Sequence, residues 1–241
     1  MTSNQRRKSF SKDPPCLDLW GQLGNLTDSQ TSALQEFLAL VPDADITMSK
    51  FHVESKENAS LRFLRARNFD VHKAATLLSE CVHKKTELQA AKFASLTPDE
   101  CANCNVEAMK NWYPHAMKGF DKFNRPILFE RNGFTNPTAI HQMTTKDGLI
   151  AYHWWTMENA LNRMFEAAQA RVADGNPPIS TCVILDFHGL SMHHCSSKML
   201  EHVKTLVGID NCCYPELLGK MLVINAPWLA GELFFIVLIW L

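Results

Sequence analysis

Residues 181–241 constrain the fold more than any other stretch of the chain. Thr181-Cys182-Val183-Ile184-Leu185-Asp186 is an apolar run with β-branched members that ends on an acid, and Phe187-His188-Gly189-Leu190-Ser191 breaks its pattern. A buried strand running into a tight turn has this form. Met199, Leu200, Val203, Leu206 and Val207 then recur at helical spacings, with Gly208 as the expected stop. A second apolar run, Met221-Leu222-Val223-Ile224-Asn225, comes next, with Pro227 behind it. Strand, helix, strand is a right-handed crossover of a parallel sheet, so the expected class is α/β.

Upstream the pattern is helical. Residues 1–25 begin without helical or strand period, carry Pro14-Pro15 and four cations, Arg6, Arg7, Lys8 and Lys12, and are expected to form a mobile arm. Residues 26–95 are expected to form a small helical module. Leu34, Phe37, Leu38 and Val41 make one apolar stripe closed by Pro42, and a polar linker leads to Leu61 and Leu64 with Arg62, Arg65 and Arg67. Asp70 is placed to cap the next helix, which carries Val71, Ala74, Ala75, Leu78 and Val82 on one face. The arginines read first as a salt-bridged seam between this module and the C-terminal lobe.

Residues 96–241 are expected to form that lobe, of α/β class. Thr97-Pro98-Asp99-Glu100 is a capping box opening a short helix. Gly119 to Pro126 reads as a polar turn in which Asp121 and Arg125 pair, and Ile127 to Arg131 as a strand. Thr144-Thr145-Lys146-Asp147 can cap a helix of about five turns through Ile150, Trp154, Met157, Leu161, Met164, Phe165 and Ala168.

Balanced charge, 24 basic against 25 acidic side chains, gives no field to attract nucleic acid. The eight cysteines sit mostly inside apolar patterns and read as reduced thiols of a cytosolic protein. Cys101-Ala102-Asn103-Cys104 lacks the further ligands of a zinc site and the preceding strand of a redox motif. His188, His193 and His194 cluster near a strand end without an acidic partner at helical spacing, so no metal is expected. Gly189-Leu190-Ser191-Met192-His193 has a histidine where a hydrolase elbow needs its second glycine. Neither a dinucleotide fingerprint nor a phosphate loop occurs.

Leu185-Asp186-Phe187-His188-Gly189-Leu190-Ser191, Tyr214-Pro215-Glu216 and Val223-Ile224-Asn225-Ala226-Pro227 together resemble the core of the CRAL-TRIO lipid-binding and lipid-transfer family. Leu61 to Val71 resembles the helical module that precedes that family's lobe, and Gly119 to Pro126 its G-x-D-x-x-x-R-P turn. The resemblance implies a non-enzymatic carrier or sensor of a hydrophobic ligand, most simply a phospholipid such as phosphatidylinositol or phosphatidylcholine. It implies lipid contacts at Arg67, Thr181, Tyr214, Glu216, Phe129 and Ile184, with no cofactor other than the bound lipid. Asn68 stands where phosphoinositide-transferring members have a second basic residue; Val183 and Met117 stand where phosphatidylcholine binders have a hydroxyl and an aromatic. A cytoplasmic protein that adheres transiently to membrane surfaces is expected.

The family's domain continues into a helical gate and one more strand, so the lobe is expected to lack its closing part. The apolar stretch 221–241 could alternatively be a tail anchor, being about long enough to span a bilayer; Asn225, Pro227 and Glu232 interrupt it and truncation is the preferred reading. The rival functional reading is a membrane-associated adaptor with a transfer-incompetent pocket. A hydrolase using Ser191 is a third.

Overall fold

A computed structural model of the chain describes residues 20–173, 178–191, 194 and 196–227. Residues 1–19 of the expected arm, His193, and 228–241 of the apolar tail lie outside the described residues.

The module comprises four helices. Thr27 caps α1 (Asp28–Leu40): its hydroxyl accepts from the Gln30 amide while the Gln30 side chain accepts from Thr27, a capping box. Helix α2 (Asp43–Ser49) occupies the stretch taken from the sequence as a polar linker. Ile46 is its one buried large apolar residue, so it shows no period, and acids in its first turn favour helix through the dipole. Ser55 caps α3 (Lys56–Ala66), and Asp70 caps α4 (Val71–Glu87) as expected. Leu34, Phe37, Ile46, Leu61, Leu64 and Leu78 pack together at the centre.

A one-turn 3-10 helix (Ala90–Ala94), α5 (Pro98–Ala102) and α6 (Val106–Met109) lead into the lobe. The capping box at Thr97 and Glu100 forms as the sequence predicts. The sheet has strands β1 (His115–Phe120), β2 (Pro126–Glu130), β3 (Thr181–Asp186) and β4 (Leu218–Ile224), in that order across it. β1 runs antiparallel to β2, and β2, β3 and β4 are parallel. β1 is a correction to the sequence reading, which began the sheet at β2. With lysine and glycine breaking its apolar alternation, it is legible only through its partner. The turn between them is held by Asp121, which accepts from the Phe123 and Arg125 amides and, at 2.7 Å, from Arg125 Nε.

Helix α7 (Pro137–Met143) precedes a continuous rod made of α8 (Lys146–Trp155), a π turn (Thr156–Ala160) and α9 (Leu161–Gln169). Helix α10 (Ser197–Cys213) runs straight through Gly208, the expected stop. A glycine inside a helix costs about 1 kcal/mol, and burial of Ile209 and Cys213 in the turn beyond offsets it.

Two right-handed crossovers that step the same way across a sheet put their helices on one side. His115 Nε2 lies 2.8 Å from Tyr152 Oη on α8, and α8 meets α10 through Lys146–Glu201 and His153–Asp210. Trp154, Leu161 and Phe165 of the rod join the module's own core, with the Phe51 and Phe165 rings 5.0 Å apart. Module and lobe therefore share one apolar core.

Candidate functional site

Strand register decides which side chains share a face, because residues opposite one another in a sheet point the same way. Met117, Leu128, Val183 and Met221 form one row across all four strands. His115, Glu130, Leu185 and Val223 form the next row on the same face. The His115 contact with Tyr152 turns this face toward α8. Its apolar members are only half-buried, although they lie under the helices. Thr181 alternates onto this face and is buried, its hydroxyl donating to the Leu217 carbonyl. Ala116, Phe129, Ile184 and Leu222 share the opposite, outer face, where Leu222 and Ile224 are 41% and 40% exposed.

A second constellation lies where module meets lobe. The Arg62 guanidinium, 1% exposed, donates to Glu54 through Nε at 2.7 Å and Nη2 at 3.0 Å. It also donates to the Ser49 carbonyl in the module and the Pro215 carbonyl in the lobe, while lying against the Phe51 and Phe63 rings. Burying a charge is expensive unless it is paired and hydrogen-bonded, and here each partner is supplied. Arg65 donates to the Gly21 carbonyl and lies 3.7 Å from Glu216 Oε2. Tyr214 donates to Glu158 on the π turn, which also pairs with Lys85 at 2.7 Å. Burial and the Glu158 charge push the Tyr214 phenol well above its ordinary range.

The six sequence-derived lipid contacts thus fall in separate places. Thr181 is on the helix-side face; Phe129 and Ile184 are adjacent in register on the outer face. Tyr214 and Glu216 belong to the seam. Arg67, the C-cap of α3, donates to the Ala66 carbonyl and borders a groove of about 170 Å³ with Lys73, Thr76, Leu77 and Glu80. The sequence reading did not single out Leu128, Leu185, Met221 or Val223. The alternation Thr181, Val183, Leu185 would have found the β3 member, but the neighbours needed the register.

Residues 110–241 match the CRAL/TRIO domain, and residues 33–80 match the CRAL/TRIO N-terminal domain. The chain belongs to the CRAL/TRIO family. Among its relatives are the SEC14 cytosolic factor of Eremothecium gossypii, 30% identical over 87% of this chain and 64% of that protein, and a phosphatidylinositol/phosphatidylcholine transfer protein, SFH13, of Arabidopsis thaliana. The latter is 28% identical over 83% of this chain and 30% of its own length. The chain thus spans less than two thirds of either protein. The crystal structure of Sfh5 shares the fold, with a TM-score of 0.56 at 17% identity, over 86% of this chain and 64% of that one.

Within this CRAL/TRIO chain the other reactive groups have local explanations. Ser191 Oγ lies 3.1 Å from His194 Nδ1, but the same nitrogen faces the Ser191 amide at 3.1 Å, with Ser191 exposed and His194 half-buried. That arrangement closes a turn. Burial pushes the Cys101 and Cys104 thiols up, and Cys104 contacts the Met109 sulfur. The described residues hold no group of three or more His, Cys, Asp or Glu arranged for a metal ion. His188 stacks on Phe134, its ring 5.6 Å away.

Proposed function

We propose that the chain binds a phospholipid, phosphatidylinositol or phosphatidylcholine, between the helix-side face of its sheet and the α8–α10 wall, and carries it between membranes without catalysis. The single observation that carries this reading is the row Met117, Leu128, Val183 and Met221, apolar and half-buried beneath its own helices. Folding ordinarily closes such a row into core, because buried apolar area is stabilising; a row left accessible there suits an apolar ligand. Extraction from a bilayer forfeits roughly 0.8 kcal/mol per methylene, more than 10 kcal/mol for a chain of about sixteen carbons. A carrier must return that energy through apolar contact, and this face supplies it. The transfer activity named for the plant relative and the SEC14 relationship support the same conclusion.

Within this reading Thr181 faces the lipid's polar end, Arg67 is the cation for an anionic head group, and Tyr214 and Glu216 hold the seam that sets the pocket's edge. Phe129 and Ile184 back the sheet. The carrier is cytoplasmic and touches membranes transiently.

Native mass spectrometry after exposure to a mixed lipid extract tests it, paired with transfer of labelled phosphatidylcholine and phosphatidylinositol between vesicles. One bound lipid per chain together with transfer is expected. Folded, soluble protein that takes up no lipid would overturn the reading. Partition onto vesicles without transfer would favour a membrane-associated adaptor.

A further inference from the structure

The chain carries a net charge of −1, yet one end of its sheet is basic. Lys122 lies in the turn between β1 and β2, its Nζ 4.9 Å from the centre of the Phe123 ring. Arg171, in the turn after α9, reaches the same place: its Nε donates to Asn124 Oδ1 at 3.2 Å, and its guanidinium lies 4.8 Å from the centre of the Phe120 ring. Lys118 of β1 and Lys220 near the start of β4 stand at this end too, and all four cations are exposed. The one acid of the turn, Asp121, is taken up by buried Arg125, whose Nη2 lies 2.6 Å from its carboxylate. Among the described residues no carboxylate comes within ion-pair range of Lys118, Lys122, Arg171 or Lys220. Exposed lysines elsewhere do pair, Lys56 with Asp43 and Lys110 with Glu107.

We infer that this end of the sheet is a docking surface for an anionic bilayer, with Lys122 and Arg171 set against lipid phosphates and Lys118 and Lys220 flanking them. The inference rests on the carrier reading. Thr181, the residue placed at the lipid's polar end, opens β3 here, where Phe120 pairs with Pro126 and Ile127 with Cys182. A head group held at this end is delivered where the protein meets the membrane.

The cations are held in place from below. A cation over an aromatic face is attracted by the ring, and Phe120 and Phe123 are half-buried, so Arg171 and Lys122 keep their charged heads at the protein's edge. The turn itself is fixed, because Asp121 accepts from the Phe123 and Arg125 amides. Arg125 also abuts β4, where a Cβ on Gly219 would lie 2.9 Å from its Nη1. The same contacts choose among polyanions. Single-stranded nucleic acid is gripped by bases stacking on open aromatic faces; here Arg171 covers Phe120, and Lys122 and Arg125 both lie over Phe123, the latter at 5.3 Å. A bilayer needs no such platform, only several cations presented together, each worth roughly a fivefold gain in partition near an anionic surface.

The test is flotation of the full chain with phosphatidylcholine vesicles, with and without added phosphatidylserine. Phosphatidylserine should raise binding, and added salt should remove the gain. Lys122→Ala with Arg171→Ala should weaken binding to the anionic vesicles more than about tenfold. Lys56→Ala with Lys110→Ala, the same charge change at exposed ion pairs elsewhere, should weaken it less than about threefold. Lys122→Arg with Arg171→Lys keeps the charge and should retain binding, which separates loss of charge from loss of fold. Equal losses in the two alanine pairs, or no response to phosphatidylserine, would overturn the surface. Loss of heparin retention in Lys122→Ala with Arg171→Ala, without loss of vesicle binding, would overturn the bilayer as its partner. Lipid loading is read separately by native mass spectrometry. Loaded protein that ignores anionic vesicles defeats the docking surface and leaves the carrier reading standing, whereas protein that docks through these residues but never loads lipid defeats the carrier reading alone.

Discussion

Arg62 shows how much one residue can carry in this chain. Its charge is nearly inaccessible, and its partners come from the loop before α3, the end of α2 and the Tyr214-Pro215-Glu216 element. Removing one member of such a pair strands the other as an uncompensated buried charge, at about 3–5 kcal/mol. Arg62→Met should lower the urea-unfolding free energy by that amount, and Arg62→Met with Glu54→Leu should recover much of it. Equal losses in the single and double variants would contradict the pairing. His202 offers a second test. Burial first, and then the nearby His153 charge, depress it to about 4, and its Nδ1 is buried without a hydrogen-bond partner among the described residues. Folding keeps the ring neutral while the unfolded chain protonates near 6.5, so stability falls as pH drops from about 6.5 toward 4. His153 acts in the opposite sense, since Asp210 raises it despite burial; its contribution is present below about 6.5 and is lost as pH rises through the folded value. His202→Gln should therefore flatten the acid limb, retaining about 2 kcal/mol at pH 5 relative to wild type when both are referenced to pH 7.5.

At the scale of elements, the sequence was legible wherever one face was buried over several turns. α1, α4, the α8–α9 rod and α10 show that period, and their caps at Thr27, Asp70 and Thr145 obey standard side-chain rules. It was not legible in α2, a two-turn helix with one large core residue, or in β1, whose identity comes from pairing with β2. Gly208 misled for a related reason: local propensity predicts a stop, but tertiary burial of the last turn of α10 overrides it. An added methyl there meets nothing within 4 Å, so Gly208→Ala should stabilise the protein by about 0.5–1 kcal/mol, seen as a raised melting temperature. Gly148 at the start of α8 is the counter-case. A Cβ there would lie 2.6 Å from the Ala102 carbonyl oxygen and closer still to the Thr144 hydroxyl, so Gly148→Ala should lower the melting temperature despite its better helix propensity.

For the whole molecule, the order module, lobe, crossover was readable because the Leu61 to Val71 stretch and the three β3–β4 motifs are local strings. The proposed site was only partly readable, because it is made by register. Thr181 and Val183 are two apart in sequence on one face, and Ile184 beside Val183 faces away; a list of motif residues cannot separate them. The separation makes the carrier reading sharply testable. Val183→Trp puts a large ring into the half-buried helix-side row, whereas Ile184→Trp puts the same ring on the outer face. If lipid sits under α8 and α10, Val183→Trp should cut lipid uptake at least about tenfold, a loss of roughly 1.4 kcal/mol of binding or more. Ile184→Trp should leave uptake within about twofold, with both variants checked for cooperative unfolding. The reverse pattern would move the ligand to the outer face, where Phe129, Ile184, Leu222 and Ile224 are the apolar surface it would cover. Equal loss in both would mean that the sheet itself, not either face, had been disturbed, and the unfolding midpoints would show it.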